Sequence, residues 1–217
     1  MENVLPIISL TFSIFVLGFI IIIITSYWRG TLMPQLGNHR YPNHSGGASG
    51  ADSVWDKEGH VYNVPTKHYF IPTKGSWPPV RANTEVSAFD IEEAHIRLQV
   101  ANDTLRRKYP TTSDYINNLL KRNWAQVKYS DAVFAITEIE NDKPMGGTGW
   151  AVQMAIDLHR PVHLFSESKD CWFTWNGSEY VTEPIPVLTP NFAGIGSRNI
   201  GSKGRMAIKA VYEKTFK

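Results

Sequence analysis

His44-Ser45-Gly46-Gly47-Ala48-Ser49-Gly50-Ala51-Asp52 puts three glycines in five positions ahead of an acid and a helix-compatible run over residues 53–58. Glycines at this density let a backbone turn sharply, aim successive N–H groups outward and come close to a ligand. A loop of this kind that opens a helix is an anion cradle, because its unsatisfied amides and the positive end of the helix dipole both favour a phosphate. A solvated glycine linker has the same composition, so the nine residues alone leave both readings open. Two further turns weigh toward the cradle: Met145-Gly146-Gly147-Thr148-Gly149-Trp150 and Gly194-Ile195-Gly196-Ser197-Arg198, each after an apolar β-like run and before a helical pattern. Three such turns at strand-to-helix junctions predict one site at the carboxyl ends of a parallel sheet. Its expected members are Ser45, Gly46, Gly47, Ser49, Gly50 and Asp52, then Gly146, Gly147, Thr148 and Gly149, then Gly196, Ser197 and Arg198.

Between the turns, strand and helix signals alternate as they do in an α/β domain. Residues 132–137, AVFAIT, form the near-continuous apolar run of an interior parallel strand. A helix over 150–159 and a strand over 161–165 complete a β-loop-α-β unit, which must cross over right-handed. Residues 90–108 predict a helix covering one side of the sheet, with Ile91, Ala94, Leu98, Ala101 and Leu105 on one face. A second helix runs over 113–128, where Ile116, Leu119, Leu120, Trp124 and Val127 make a stripe interrupted by Asn123. That asparagine either caps a neighbouring loop or reaches a ligand. Residues 61–79 hold a short strand, 68–71, and an ordered loop whose Tyr69, Phe70 and Trp77 either pack or stack on a base. Asn176-Gly177, flanked by Cys171-Trp172-Phe173-Thr174-Trp175 and Glu179-Tyr180-Val181, signals a hairpin at the sheet edge. Residues 191–195 predict one more strand and 202–214 a closing helix.

Length and composition agree with one domain plus an appendage: 217 residues, 42% of them hydrophobic, are ample for a core. A formal charge of +2 gives no argument for a nucleic-acid partner. Cys171, the only cysteine, cannot form an internal disulfide, in keeping with a reducing compartment. No metal site is expected, since His159 and His163 are separated by Pro161, which breaks the helix that would align them.

The appendage is the apolar run 4–28, VLPIISLTFSIFVLGFIIIIITSYW. About 20 such residues cross a bilayer as a helix. A cleaved signal peptide is the rival, but the run is too long, its leader Met1-Glu2-Asn3 lacks a basic region and no small-residue cleavage site follows. The expected organisation is a transmembrane anchor over 1–28, a juxtamembrane linker over 29–42 and a folded domain over 43–217. Arg29 and Arg40 follow the span and Glu2 precedes it, so the positive-inside rule puts the domain in the cytosol. There the sequons at Asn43, Asn102 and Asn176 would stay unmodified.

The motifs HSGGASGAD, RNWAQVKYSDAVFAI, GGTGWAVQMAIDLHRPV and NFAGIGSRNI together resemble the SLOG superfamily, the Rossmann-like group of LOG-type phosphoribohydrolases, DprA-like proteins and the YpsA-related branch near the molybdenum cofactor carriers. The resemblance covers about 175 residues, an ordinary domain size. It implies a Rossmann-like three-layer parallel sheet, here preceded by one transmembrane helix. In those relatives a strand ending in a G-S-R turn begins the domain, whereas here that turn lies at the other end. The expectation is a circular permutation in which residues 192–195 enter the sheet at the first-strand position and Arg198 returns to the shared site.

Three functional readings follow. The first is a membrane-anchored sensor or effector that binds a nucleotide or a nucleotide-derived, ADP-ribose-like ligand. Ser45, Ser49, Thr148 and Ser197 would donate hydroxyl hydrogen bonds, Arg198 a charge-assisted one, and Asp52 would either accept from a ribose hydroxyl or serve its own helix dipole. The second is an N-glycosidase of the LOG type. The family loop P-G-G-x-G-T-x-x-E has Trp150 in place of its threonine and Gln153 in place of its glutamate, so the usual acid is missing. Trp150 and Gln153 suit recognition of a base or ribose, while Asp131 or Glu138 would have to supply any catalytic charge. The third is a silent scaffold that homo-oligomerises in the bilayer.

Overall fold

The computed structural model describes residues 40–72 and 81–217, which fall within one compact unit. The apolar run 4–28, most of the linker and Trp77 with its loop lie outside the described residues. Among the described residues no helix is long and apolar enough to cross a membrane. Tyr41 and Pro42, expected in the linker, belong to the folded unit. The Tyr41 ring meets Phe216 edge-on at 5.2 Å, and the Pro42 carbonyl accepts the Phe192 amide.

The chain is an α/β fold built on one mixed, mostly parallel sheet of eight strands. In chain order its elements are β1 (Asn43–Ser45), α1 (Ala51–Val61), β2 (Thr66–Phe70), β3 (Thr84–Glu85), α2 (Ala88–Leu105), α3 (Asp114–Lys128), β4 (Ala132–Ile136), the two-residue pair β5 (Ile139–Glu140) and β6 (Lys143–Pro144), α4 (Gly146–Asp157), β7 (Val162–Ser166), β8 (Cys171–Trp175), β9 (Tyr180–Glu183), β10 (Phe192–Gly196) and α5 (Ser202–Phe216). The large sheet runs β3-β2-β1-β10-β4-β7-β8-β9. Strands β3 to β7 in that order are parallel, and the β8–β9 hairpin closes one edge antiparallel. β10, the last strand in the chain, therefore lies in the middle of the sheet, paired with β1 on one side and β4 on the other.

Alternation along β4 divides the core. Val133 and Ala135 face a cluster with α2, α3 and α4, while Ala132, Phe134 and Ile136 face one with α1 and α5. A strand buried on both faces reads as continuously apolar, which is why AVFAI is legible as an interior strand.

Three elements differ from the sequence expectation. β1 is a strand although Asn43, His44 and Ser45 are polar; each is buried, the Asn43 Oδ1 accepting the Gly194 amide at 2.9 Å and His44 Nδ1 lying 2.8 Å from the Tyr69 hydroxyl. α2 lies chiefly across α3 and α4 and not directly on the strands. α4 starts at Gly146, so Gly146-Gly147-Thr148-Gly149 is the first helical turn and not a loop before it.

Candidate functional site

The carboxyl ends of β1, β10 and β4 open onto a cavity of about 750 Å³. β1 and β10 send α1 and α5 to one face of the sheet and β4 sends α4 to the other, so the crevice lies where the connections diverge. Its size is that of a small-molecule pocket, about 300–1,000 Å³. All three glycine motifs reach it: Gly46, Gly47, Ser49 and Asp52 from the first, Gly146, Gly147 and Thr148 from the second, Gly196, Ser197 and Arg198 from the third. Neither α1 nor α4 has a side-chain cap at its start. At α4 the amides of Gly146, Gly147 and Thr148 precede the first intrahelical bond, from Gly149 to the Met145 carbonyl, and point out of the helix end. The start of α4 thus presents unsatisfied N–H groups and a positive dipole end to the cavity, whereas at α1 the Ala51 amide is already taken by the Ser197 carbonyl at 3.0 Å.

The charges reinforce them. Arg122, from the middle of α3, lines the cavity beside Gly46, where a Cβ would fall 2.5 Å from Nη2 of the guanidinium. That glycine leaves room for the arginine to lie over the first loop. Arg122 has no hydrogen bond or ion pair with any described residue, and its Nε is buried without a partner. Burial lowers its pKa, the Asp52 carboxylate pushes the other way, and Arg198 adds to the lowering from across the cavity. Arg198 is exposed and likewise has no hydrogen bond or ion pair among the described residues.

Asp52 is buried on the cavity wall. Burial pushes its carboxyl up from 3.8 to about 6, against the Arg122 charge and amides of Ala48, Gly196 and Gly46 that favour the anion. Its Oδ2 accepts the Ala48 N–H at 3.3 Å, so the side chain also holds the first loop in shape. Glu138 behaves oppositely. Burial alone would raise it, but the Ser166 and Ser168 hydroxyls and the Ser168 and Glu167 amides together hold it below the ordinary range. The cavity therefore carries one carboxyl that exchanges its proton near neutral pH and one that stays ionised.

Around these groups stand residues that hold the motifs. Asn123 lines the cavity and donates from Nδ2 to the Gly147 carbonyl at 3.1 Å, which ties α3 to the start of α4. Arg107, at the end of α2, donates to the Gly146 carbonyl at 2.9 Å and the Pro144 carbonyl at 2.6 Å. Ser197 is engaged by both amide and hydroxyl with the Ile136 carbonyl, at 2.9 and 3.2 Å. By contrast, the hydroxyls of Ser49 and Thr148 have no partner among the described residues. Among those residues no group of His, Cys, Asp and Glu gathers to hold a metal ion.

Six of the expected members do not line the cavity. Ser45 is buried beneath the first loop, its Oγ accepting the Gly47 amide at 3.1 Å. Gly50 is the joint between the first and third motifs, where a Cβ would meet the Arg198 carbonyl at 2.3 Å. Gly149 sits equally close to the Pro144 carbonyl, at 2.1 Å from such a Cβ. Trp150 is a core residue 5.7 Å from the Tyr109 ring, and Gln153 is buried with its Nε2 on Asp157 Oδ1 at 2.8 Å. Because the second glycine turn is already helical, Trp150 and Gln153 are carried round to the core face. Asp131 precedes β4, at the amino end of the strand and away from the cavity, where it accepts from Asn191.

Arg122 escaped the sequence reading. The signal for it was present: Tyr115, Leu119, Arg122 and Gln126 recur at helical spacing beside Asn123, and all line the cavity. Arg107 had no such signal, because only the tertiary fold brings it to the second motif.

Compared with protein families, curated proteins and solved structures, the chain finds a match in none of the three.

Proposed function

We propose that this chain is a nucleotide-binding module of the SLOG type, carried on a membrane anchor and acting as a sensor or effector. The observation that supports the binding half is the meeting of Arg122 and Arg198, neither of which has a hydrogen bond among the described residues, with the open helix start of α4 on one cavity. Guanidinium groups with free N–H donors beside open backbone amides suit a phosphate or diphosphate, which accepts several charge-assisted hydrogen bonds at once. The central placement of β10 supports the permuted ancestry, since its turn brings Arg198 beside the first glycine loop. The apolar run 4–28 supports the anchor.

Calorimetric titration of the full-length chain with AMP, ADP and ADP-ribose tests the site. Arg122→Ala and Arg198→Ala should each weaken the best of these by about tenfold or more, the worth of a hydrogen bond to a charged group. Binding that is indifferent to both substitutions would remove the cavity from the reading. Retention of the chain in alkaline-extracted membranes, with the domain open to protease on the cytosolic side, is the outcome expected for the anchor; release into the wash would end it.

A further inference from the structure

The cationic groups account for only part of the cavity wall. Tyr115, Ile116 and Met145 are 64%, 44% and 42% exposed, and all three line it. Tyr115 and Ile116 lie together in the first turn of α3 and form an apolar shelf there, while Met145 is the residue before α4. The Tyr115 ring has no aromatic or hydrogen-bonding partner among the described residues. Seven residues separate it from Arg122 on the same helix, about 10 Å along the axis. An inorganic anion held by Arg122 would leave the shelf bare. A ligand that fills both ends carries a negative group and, a sugar's length away, a flat apolar one.

We infer that Tyr115, with Ile116, seats the base of a nucleotide whose phosphate lies at Arg122, Arg198 and the start of α4. The inference rests on the reading of the cavity as a nucleotide site and adds the place of the base, which separates a nucleoside phosphate from a sugar phosphate or a free anion. An aromatic side chain open on one face stacks on any base, because every base has a π-face, so the shelf holds a base without selecting strongly among them. Choice among bases would need hydrogen bonds to their edges, for which the shelf itself offers only the Tyr115 hydroxyl.

The test compares AMP, UMP and ribose 5-phosphate by calorimetric titration of the full-length chain. Both nucleotides should bind at least about tenfold more tightly than ribose 5-phosphate, the usual worth of one stacked base. Tyr115→Ala should erase that margin and leave ribose 5-phosphate unchanged, whereas Tyr115→Phe should keep it. Arg122→Ala should weaken all three probes together. Equal binding of nucleotides and ribose 5-phosphate, or a Tyr115→Ala loss shared by every probe, overturns the base seat while leaving the phosphate site standing. If none of the probes binds, the phosphate site itself falls and the base seat with it.

Discussion

Asp52 and His44 titrate in the same pH range with opposite consequences for stability. Burial raises Asp52 from 3.8 to about 6. Burial, helped by the Lys67 charge, lowers His44 from 6.5 to about 4. A raised carboxyl keeps its proton in the folded state longer than in the unfolded one, so the Asp52 contribution is full below its ordinary value and is lost as pH rises through about 6. A lowered imidazole does the reverse: its contribution is full above 6.5 and is lost as pH falls through about 4. Each shift is worth about 3 kcal/mol, so between those limits the two largely offset. Asp52→Asn removes one side of the balance. Relative to the parent, that variant should gain about 3 kcal/mol as pH rises from about 4 to about 6, measured by denaturant unfolding at several pH values. Parallel pH profiles for parent and variant would mean that Asp52 is not buried as a carboxyl on the cavity wall.

At the scale of elements, the glycines of the site divide into those the fold needs and those a ligand would need. Gly50 precedes α1 at φ 97°, and a Cβ there would fall 2.3 Å from the Arg198 carbonyl and 2.4 Å from that of Ser197. No flexible side chain can yield at that contact, because both neighbours are backbone. Gly50→Ala should therefore destabilise the domain by about 1–3 kcal/mol from local strain alone, before the third motif is displaced. Gly147 lies in the first turn of α4 with nothing within 4 Å of a Cβ, and it faces the cavity. Gly147→Val should keep stability within about 1 kcal/mol, the range of helix propensities, yet obstruct a ligand approaching the free amides. Thermal unfolding should separate the two variants, with Gly50→Ala lowering the midpoint and Gly147→Val leaving it in place, while nucleotide titration of Gly147→Val reads the lost binding. A Gly147→Val protein that binds as well as the parent would take the start of α4 out of the site.

For the whole molecule, the decisive feature is that the middle of the sheet is made from the end of the chain. The Asn43–Gly194 hydrogen bond joins residues 151 apart, and β1, whose three residues are all buried, has no partner on its β10 side until that strand arrives. Long-range pairing of this kind delays folding, because loop closure must precede the contacts that reward it. Deleting residues 187–217 should accordingly abolish cooperative unfolding and not merely trim the domain, since the deletion opens both cores at once. Tyr41 touches Phe216 across 5.2 Å, so the two ends of the folded unit are neighbours. A permuted chain that runs 187–217, a short glycine-serine linker and then 40–186 should fold with a native-like unfolding transition and accelerated β10 docking, read by stopped-flow tryptophan fluorescence. Failure of that chain to fold would show that contacts outside the rearranged unit hold β10 in place.

What the sequence determined by itself follows from periodicity and backbone chemistry. A strand buried on both faces must be apolar throughout, so residues 132–137 declared an interior strand. Two-faced helices must repeat at helical spacing, so residues 90–108 and 113–128 were legible to within a few residues of α2 and α3. Glycine clusters at strand ends marked where backbone comes close to something, and three of them do converge on one cavity. Polar β1 was not legible, because its burial is supported by Tyr69 and Gly194, partners supplied by β2 and β10. The direction of Trp150 and Gln153 was not legible either: moving the start of α4 forward to Gly146 rotates both toward the core, and composition cannot count turns from an unmarked origin. Arg122 and Arg107 became neighbours of the glycine turns only when α3 and α4 packed together and α2 packed across both. Local pattern depends on residues a few positions apart and is written in the chain, whereas the charge of a cavity sums over elements that only the tertiary structure brings together.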